Sequence, residues 1–191
     1  MIKYFIIITI LFSSCDIFST REPEEPNDNA SLLLSQNSED NLLSNFISAL
    51  KGLNSVNYLN TLADNSNSED NFTFSPTGVI NQNYTELFNF WSKNDENNFI
   101  ITLNSKLTEK KMNIILQNQD WSYQIDSTVL TADYKISLVH NYNIPKYYEG
   151  KLQLVMIKND NNIWYIKRWL DYIKNDSLDD ISFSDLKVNF K

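Results

Sequence analysis

The chain reads as an α+β domain, with N-terminal helices packed on one face of a strongly curved antiparallel sheet. Three observations predict it. Apolar residues recur every three or four positions in the first part of the chain and every two positions in the later part, and short polar turns separate the segments. A hydrophobic fraction of 42% in 191 residues is enough for one domain with a real core.

The elements follow in order. Ser38 is a helix N-cap with Glu39 and Asp40 in the first turn, and Leu42, Leu43, Phe46, Ile47 and Leu50 form a stripe that ends near Gly52. A second short helix is expected over Asn54 to Ala63, its stripe being Val56, Leu59 and Leu62. Phe72 and Phe74 alternate before Pro76 and Gly78 stop the pattern, and a third helix is expected over Tyr84 to Trp91. Phe99, Ile101 and Leu103 then alternate as a strand, as do Met112, Ile114 and Leu116, with "TEKK" as the turn between them.

The longest strand signal runs from 127 to 142. Leu130, Ala132, Tyr134, Ile136, Leu138, His140 and Tyr142 form its apolar face. Residues 149–158 pair with 163–172 through "NDNN", whose Asn and Asp residues suit a tight hairpin. The last strand has two apolar faces: Trp164, Ile166, Arg168 and Leu170 on one, Ile163, Tyr165 and Trp169 on the other. That places it centrally, one face under the helices and the other in need of cover. The expected shared core is Trp164, Ile166, Leu130, Ile136, Leu138, Phe46 and Leu50.

The N-terminus carries a separate signal. Lys3, the apolar run Tyr4 to Phe12, then Ser13, Ser14 and Cys15 are the parts of an export signal, and the run is too short to span a bilayer. "LFSSC" resembles a bacterial lipoprotein signal, in which the cysteine is lipidated and becomes the first residue; Phe12 stands where Leu, Val or Ile is usual. The expected organisation is a signal peptide over 1–14, a lipidated Cys15 and flexible tether over 15–38, and a domain over 39–191. The resemblance implies a bacterial cell-envelope protein held on a bilayer through Cys15. Cys15 is the only cysteine, so no disulfide can form within one chain.

The order "NLLSNFISAL", "YLNTLAD", "FTFSP", "FNFWSKNDE", "IWYIKRWLDY" and "SFSDLKVNF" resembles the nuclear transport factor 2-like family over residues 39–191, especially its lipid-anchored bacterial members. Its most specific part is the ending, where Trp164-x-Ile166 leads to Trp169-x-Asp171 and a terminal helix near Ser184 to Phe190. The resemblance implies a cone of curved sheet with helices closing its mouth. Relatives include ketosteroid isomerase, scytalone dehydratase, polyketide cyclases and non-catalytic binding modules, so the site must decide the activity. The isomerase set of a base Asp, a Tyr and a protonated Asp cannot be placed on this sequence.

Composition excludes several classes. A formal net charge of −8, with no basic run longer than two residues, argues against a nucleic-acid partner. One His and one Cys give no zinc motif, and three isolated glycines give no phosphate loop, so no cofactor or metal is expected. His140, the only histidine, is a candidate general base beside Tyr134 and Tyr142, or a packed residue. Asp171 is a candidate pocket acid, an ion-pair partner for Lys167 on the same parity, or an anchor for the segment before the final helix. Arg168, on the Trp164 face, could bind an anion or only extend to the rim. Tyr134, His140, Tyr142, Trp164 and Arg168 are therefore the candidate pocket lining, and the Tyr165/Trp169 face is a candidate surface for a homodimer or an envelope partner. Two functions stay open: a non-catalytic module binding a ligand or partner, and a small isomerase, dehydratase or hydrolase using His140 with Tyr134 or Asp171.

Overall fold

The computed structural model describes residues 33–174 and 181–191. The expected signal peptide over 1–14, Cys15 and most of the expected tether lie outside the described residues. Helix α1, Glu39–Lys51, begins at Ser38, whose hydroxyl accepts from the Asn41 N–H. Helix α2, Ser55–Asn60, begins at Asn54, whose side chain accepts from the Asn57 N–H. Short strand β1, Thr73–Ser75, precedes two single-turn helices, α3 (Gly78–Asn83) and α4 (Thr85–Phe88), and the longer α5 (Lys93–Lys106). Four strands follow: β2 (Met112–Tyr123), β3 (Ser127–Leu138), β4 (Tyr147–Lys158) and β5 (Trp164–Tyr172). Helix α6, Phe183–Asn189, ends the fold.

The strands form one curved five-stranded sheet in the order β1-β5-β4-β3-β2, antiparallel except for the β1–β5 pair. The core expected from the sequence is buried as a whole: Phe46, Leu50, Leu130, Ile136, Leu138, Trp164 and Ile166 all lie between sheet and helices. No helix among the described residues is long and apolar enough to cross a membrane.

Several expectations are corrected. Phe99, Ile101 and Leu103 lie in helix α5, not in a strand. Glu96, Phe99, Ile100 and Leu103 form its buried stripe at helical spacing, Ile101 faces solvent, and Asp95 fixes the start by accepting from the Ser92 N–H at 2.8 Å and hydroxyl at 2.6 Å. "TEKK" therefore joins a helix to a strand. The segment expected as one helix over Tyr84–Trp91 is the single turn α4, with Trp91 beyond it. In α2, Tyr58 is buried and Val56 exposed. The central strand is β4, while β5 lies second from the edge, beside β1.

The two-sided strand has a specific solution. Met156 pairs with Ile166 but Val155 pairs with Arg168, so Lys167 is an extra residue in a β-bulge. The bulge inverts the alternation halfway along β5. Trp164 and Ile166 before it, and Trp169 and Asp171 after it, all point into the core, whereas Arg168 faces solvent. Trp169 is thus removed from the outer face, where the plain alternation puts it, and Arg168 is removed from the Trp164 face. Lys167 pairs with Asp70 at 2.8 Å rather than with Asp171.

The chain joins the domain before residue 39. Asn45, buried on α1, accepts from the Leu34 N–H at 2.9 Å and donates to the Leu34 carbonyl at 2.8 Å, and the Gln36 carbonyl accepts from the Trp164 N–H at 2.8 Å. The docking is made by backbone, since the Leu33 and Leu34 side chains are exposed.

Candidate functional site

Two polar groups are sunk into the space between sheet and helices. In the first, Asp171 Oδ1 accepts from the Tyr134 hydroxyl at 2.7 Å, and Oδ2 accepts from the Ser184 N–H at 2.7 Å and hydroxyl at 2.5 Å. The Tyr134 oxygen in turn accepts from the Phe183 N–H at 2.7 Å. Tyr134 and Asp171 therefore satisfy the donors that the first turn of α6 leaves free, which anchors the helix to the sheet. Burial pushes the Asp171 carboxyl up to about 6, against the opposing pull of the bonds from Ser184 and Tyr134. Burial and the adjacent Asp171 raise the Tyr134 phenol well above its ordinary value.

Gly150 lies opposite Tyr134 in the β3–β4 ladder. A methyl group there would fall 2.6 Å from the Tyr172 carbonyl oxygen and onto the Tyr134 hydroxyl. The absence of a side chain at 150 is what lets Tyr134 lie across the sheet to reach Asp171.

The second group joins α5 to α6. Lys187 donates to Glu96 Oε2 at 2.6 Å, the Tyr58 hydroxyl donates to the same oxygen at 2.9 Å, and the Trp91 indole N–H donates to Oε1 at 2.8 Å. Burial lowers the Lys187 ammonium from its ordinary value, and Glu96 opposes that by favouring the charged form. Burial, together with the Glu96 charge, raises the Tyr58 phenol well above its own. Aromatic rings pack between the two groups. Trp169 and Phe183 lie 4.2 Å apart between centres, and Phe74 meets both Trp169 and Phe183.

Among solved structures, the chain is similar to a nuclear transport factor 2-like protein from Cytophaga hutchinsonii, at 10% identity and a TM-score of 0.51, covering 70% of this chain and 93% of that one. A protein provisionally named scytalone dehydratase, from Novosphingobium aromaticivorans, matches at 8% identity and a TM-score of 0.54, covering 73% and 92%. A second protein from that organism, provisionally named aromatic ring hydroxylase, matches at 11% identity and a TM-score of 0.54, covering 70% and 85%. This chain has the nuclear transport factor 2-like fold. No family model matches the sequence, and no curated protein matches it.

Within that cone the residues singled out from sequence separate. Tyr134 and Asp171 come together in its interior. Trp164 is buried at the opposite end of β5, under Lys158. His140 lies beyond the end of β3; its Nε2 is 3.0 Å from the Pro145 carbonyl oxygen, and its ring lies against Phe190 and Tyr142. Among the described residues it makes no bond to a tyrosine hydroxyl or to Asp171. Tyr142 and Arg168 are exposed. Sequence reasoning missed Glu96, Lys187, Tyr58, Trp91 and Ser184. A signal for two of them exists: Glu96 precedes Phe99, Ile100 and Leu103, and Lys187 lies among Phe183, Leu186 and Phe190, each at the three- and four-residue spacing of a buried stripe.

Proposed function

We propose that this protein is a cell-envelope lipoprotein, anchored through an acylated Cys15, whose nuclear transport factor 2-like domain is a non-catalytic interaction module. The observation that carries the reading is the filling of the cone. Phe183, Leu186 and Lys187 of α6 are fully buried, Phe183 and Lys187 against Phe74, Phe99 and Trp169, so these side chains occupy the space between α6 and the sheet in which a cone-shaped domain could hold a substrate. The carboxylate and phenol best suited to acid–base work, Asp171 and Tyr134, spend their bonds on the α6 backbone.

Interaction then falls to the outer surface. On the outer sheet face, Val129, Val155 and Arg168 lie abreast on neighbouring strands, with Tyr165 and Leu170 half-buried near them and Tyr172 and Ile115 exposed farther along the same face. This face, without Trp169, is where an envelope protein or a second copy of the chain would pack. The lipid and the tether would hold it at the membrane, and two or more acyl chains give the stable attachment that one does not.

A second reading rests on one observation. Asp171, with a carboxyl at about 6 and a tyrosine hydroxyl 2.7 Å away, has the chemistry of a general acid–base pair, as a dehydratase or isomerase requires. It needs α6 to leave the cone.

Native mass spectrometry of the protein from membranes of its own cells tests the proposal. A chain beginning at an acylated Cys15, alone or with a protein partner, is expected. An unmodified Cys15 within the full-length chain defeats the anchoring. A retained small molecule that is turned over, with turnover lost in Asp171→Asn or His140→Ala, defeats the non-catalytic assignment.

A further inference from the structure

Glu96 and the rings around it form a charged site that the α6 anchor does not use. The Lys187 ammonium lies 4.4 Å from the ring centre of Phe74, 4.6 Å from those of Trp91 and Phe99, and 5.1 and 5.7 Å from Phe183 and Trp169. Ring faces attract a cation, and more strongly once water is removed. The carboxylate that completes the box is held in place from outside the ion pair, by Tyr58 on one oxygen and Trp91 on the other. Phe74, Trp91, Phe99 and Trp169 belong to β1, the turn before α5, α5 and β5. Only Lys187 and Phe183 are supplied by α6. The box is therefore assembled by the rest of the domain, and Lys187 enters it as a ligand enters a receptor.

We propose that Glu96 with Phe74, Trp91 and Phe99 is a binding site for a monoalkylammonium ion, which Lys187 fills in cis. The chemistry selects the class. Among the described residues, Glu96 is the sole hydrogen-bond acceptor for the Lys187 ammonium, and the other N–H bonds face rings. One charge on an apolar stem fits, and methyl groups can replace N–H bonds that have no acceptor. A guanidinium is disfavoured, because its five donors need more acceptors than one shared carboxylate provides. An anion would meet the Glu96 charge. The site is independent of the membrane anchor and of the outer face.

The test exploits the shape of the occupant. Lys187→Ala keeps Cβ and deletes three carbons and the ammonium, the atoms of n-propylammonium, while 1-propanol offers the same stem without charge. Small apolar ligands enter engineered interior cavities lined by apolar side chains, and here Glu96 adds a partner for the charge. The full-length Lys187→Ala chain is titrated with each, following the urea midpoint. A saturable shift toward the wild-type midpoint is expected from n-propylammonium at about a tenth or less of the 1-propanol concentration, or with no response to 1-propanol at all. Wild-type protein, its site already filled, should show no such shift, and Lys187→Ala/Glu96→Gln should lose the preference for the amine. Equal effects of amine and alcohol, or an amine effect that survives Glu96→Gln, overturn the proposal. If Lys187→Ala does not fold unaided, its refolding yield is read instead. A yield raised by the amine and not by the alcohol supports the site, and an unchanged yield overturns it.

Discussion

Glu96 and Lys187, 91 residues apart in sequence, meet at 2.6 Å with neither side chain reaching solvent. The pair ties α5 to α6 inside the cone. A buried pair is weak evidence of net stabilisation, since desolvation offsets most of the attraction, but removing one partner strands the other. Lys187→Met should therefore destabilise the domain by about 3–5 kcal/mol. The double variant Glu96→Gln/Lys187→Met should lose much less than the two single losses combined. Urea unfolding of the four proteins in a double-mutant cycle measures this, and additive losses would show that the two groups are not coupled.

The Asp171 carboxyl predicts a pH dependence with a definite sign. Its folded value of about 6 lies above the ordinary 3.8, so between those values the native state holds more protons than the unfolded chain. Stability from this group is fully present below about 4 and is lost as pH rises through about 6. A shift of this size corresponds to a loss of about 3 kcal/mol across the window. Asp171→Asn, which cannot titrate, should remove that fall from the stability–pH profile. An unchanged slope between pH 4 and 6 would mean that Asp171 is not the group responsible.

At the bulge, the two aromatic faces of β5 become one. Trp169→Ala should cost about 3–5 kcal/mol, as truncation of a fully buried aromatic does. Arg168→Ala, one residue away on the exposed face, should stay within about 0.5 kcal/mol. Deleting Lys167 removes the extra residue and leaves a plain ladder in which Ile166, Trp169 and Asp171 still point inward and Arg168 outward. Trp fluorescence that moved to that of solvent-exposed indole after that deletion would contradict the register.

Much of the fold is visible in the sequence because burial there follows a single period. Leu130, Ala132, Tyr134, Ile136 and Leu138 alternate without interruption, and their strand begins where it is expected but ends at Leu138, short of His140 and Tyr142. The failures occur where a period breaks or is ambiguous. Phe99, Ile101 and Leu103 satisfy a two-residue period, but Ile100 and Glu96 satisfy a helical one, and the Ser92–Asp95 cap decides between them. A bulge leaves no mark in local composition, so Trp169 and Arg168 exchange faces unseen. The candidate site is less legible still. Tyr134 and Asp171 were each visible as residues, but their meeting depends on a bulge, and Glu96 with Lys187 depends on two helices that pack only in the tertiary structure.

Gly150 offers a narrower check. Gly150→Ala places a methyl group on the Tyr134 hydroxyl and against the Tyr172 carbonyl, so one of them must shift. Overpacking of this kind costs about 1–3 kcal/mol. Because Tyr134 also holds the Phe183 N–H, amide exchange in the first turn of α6 should quicken. A variant with wild-type stability and exchange would show that the close approach is relieved elsewhere.

The closed cone is tested most directly by lysine acetylation of the native protein, read residue by residue by mass spectrometry. Lys111, whose side chain is 68% exposed, should be modified rapidly, while Lys187, with none of its side chain exposed, should stay unmodified until the domain unfolds. Modification of Lys187 at a rate comparable to Lys111, in protein that remains folded, would mean that α6 leaves the cone and that the interior is open to a substrate.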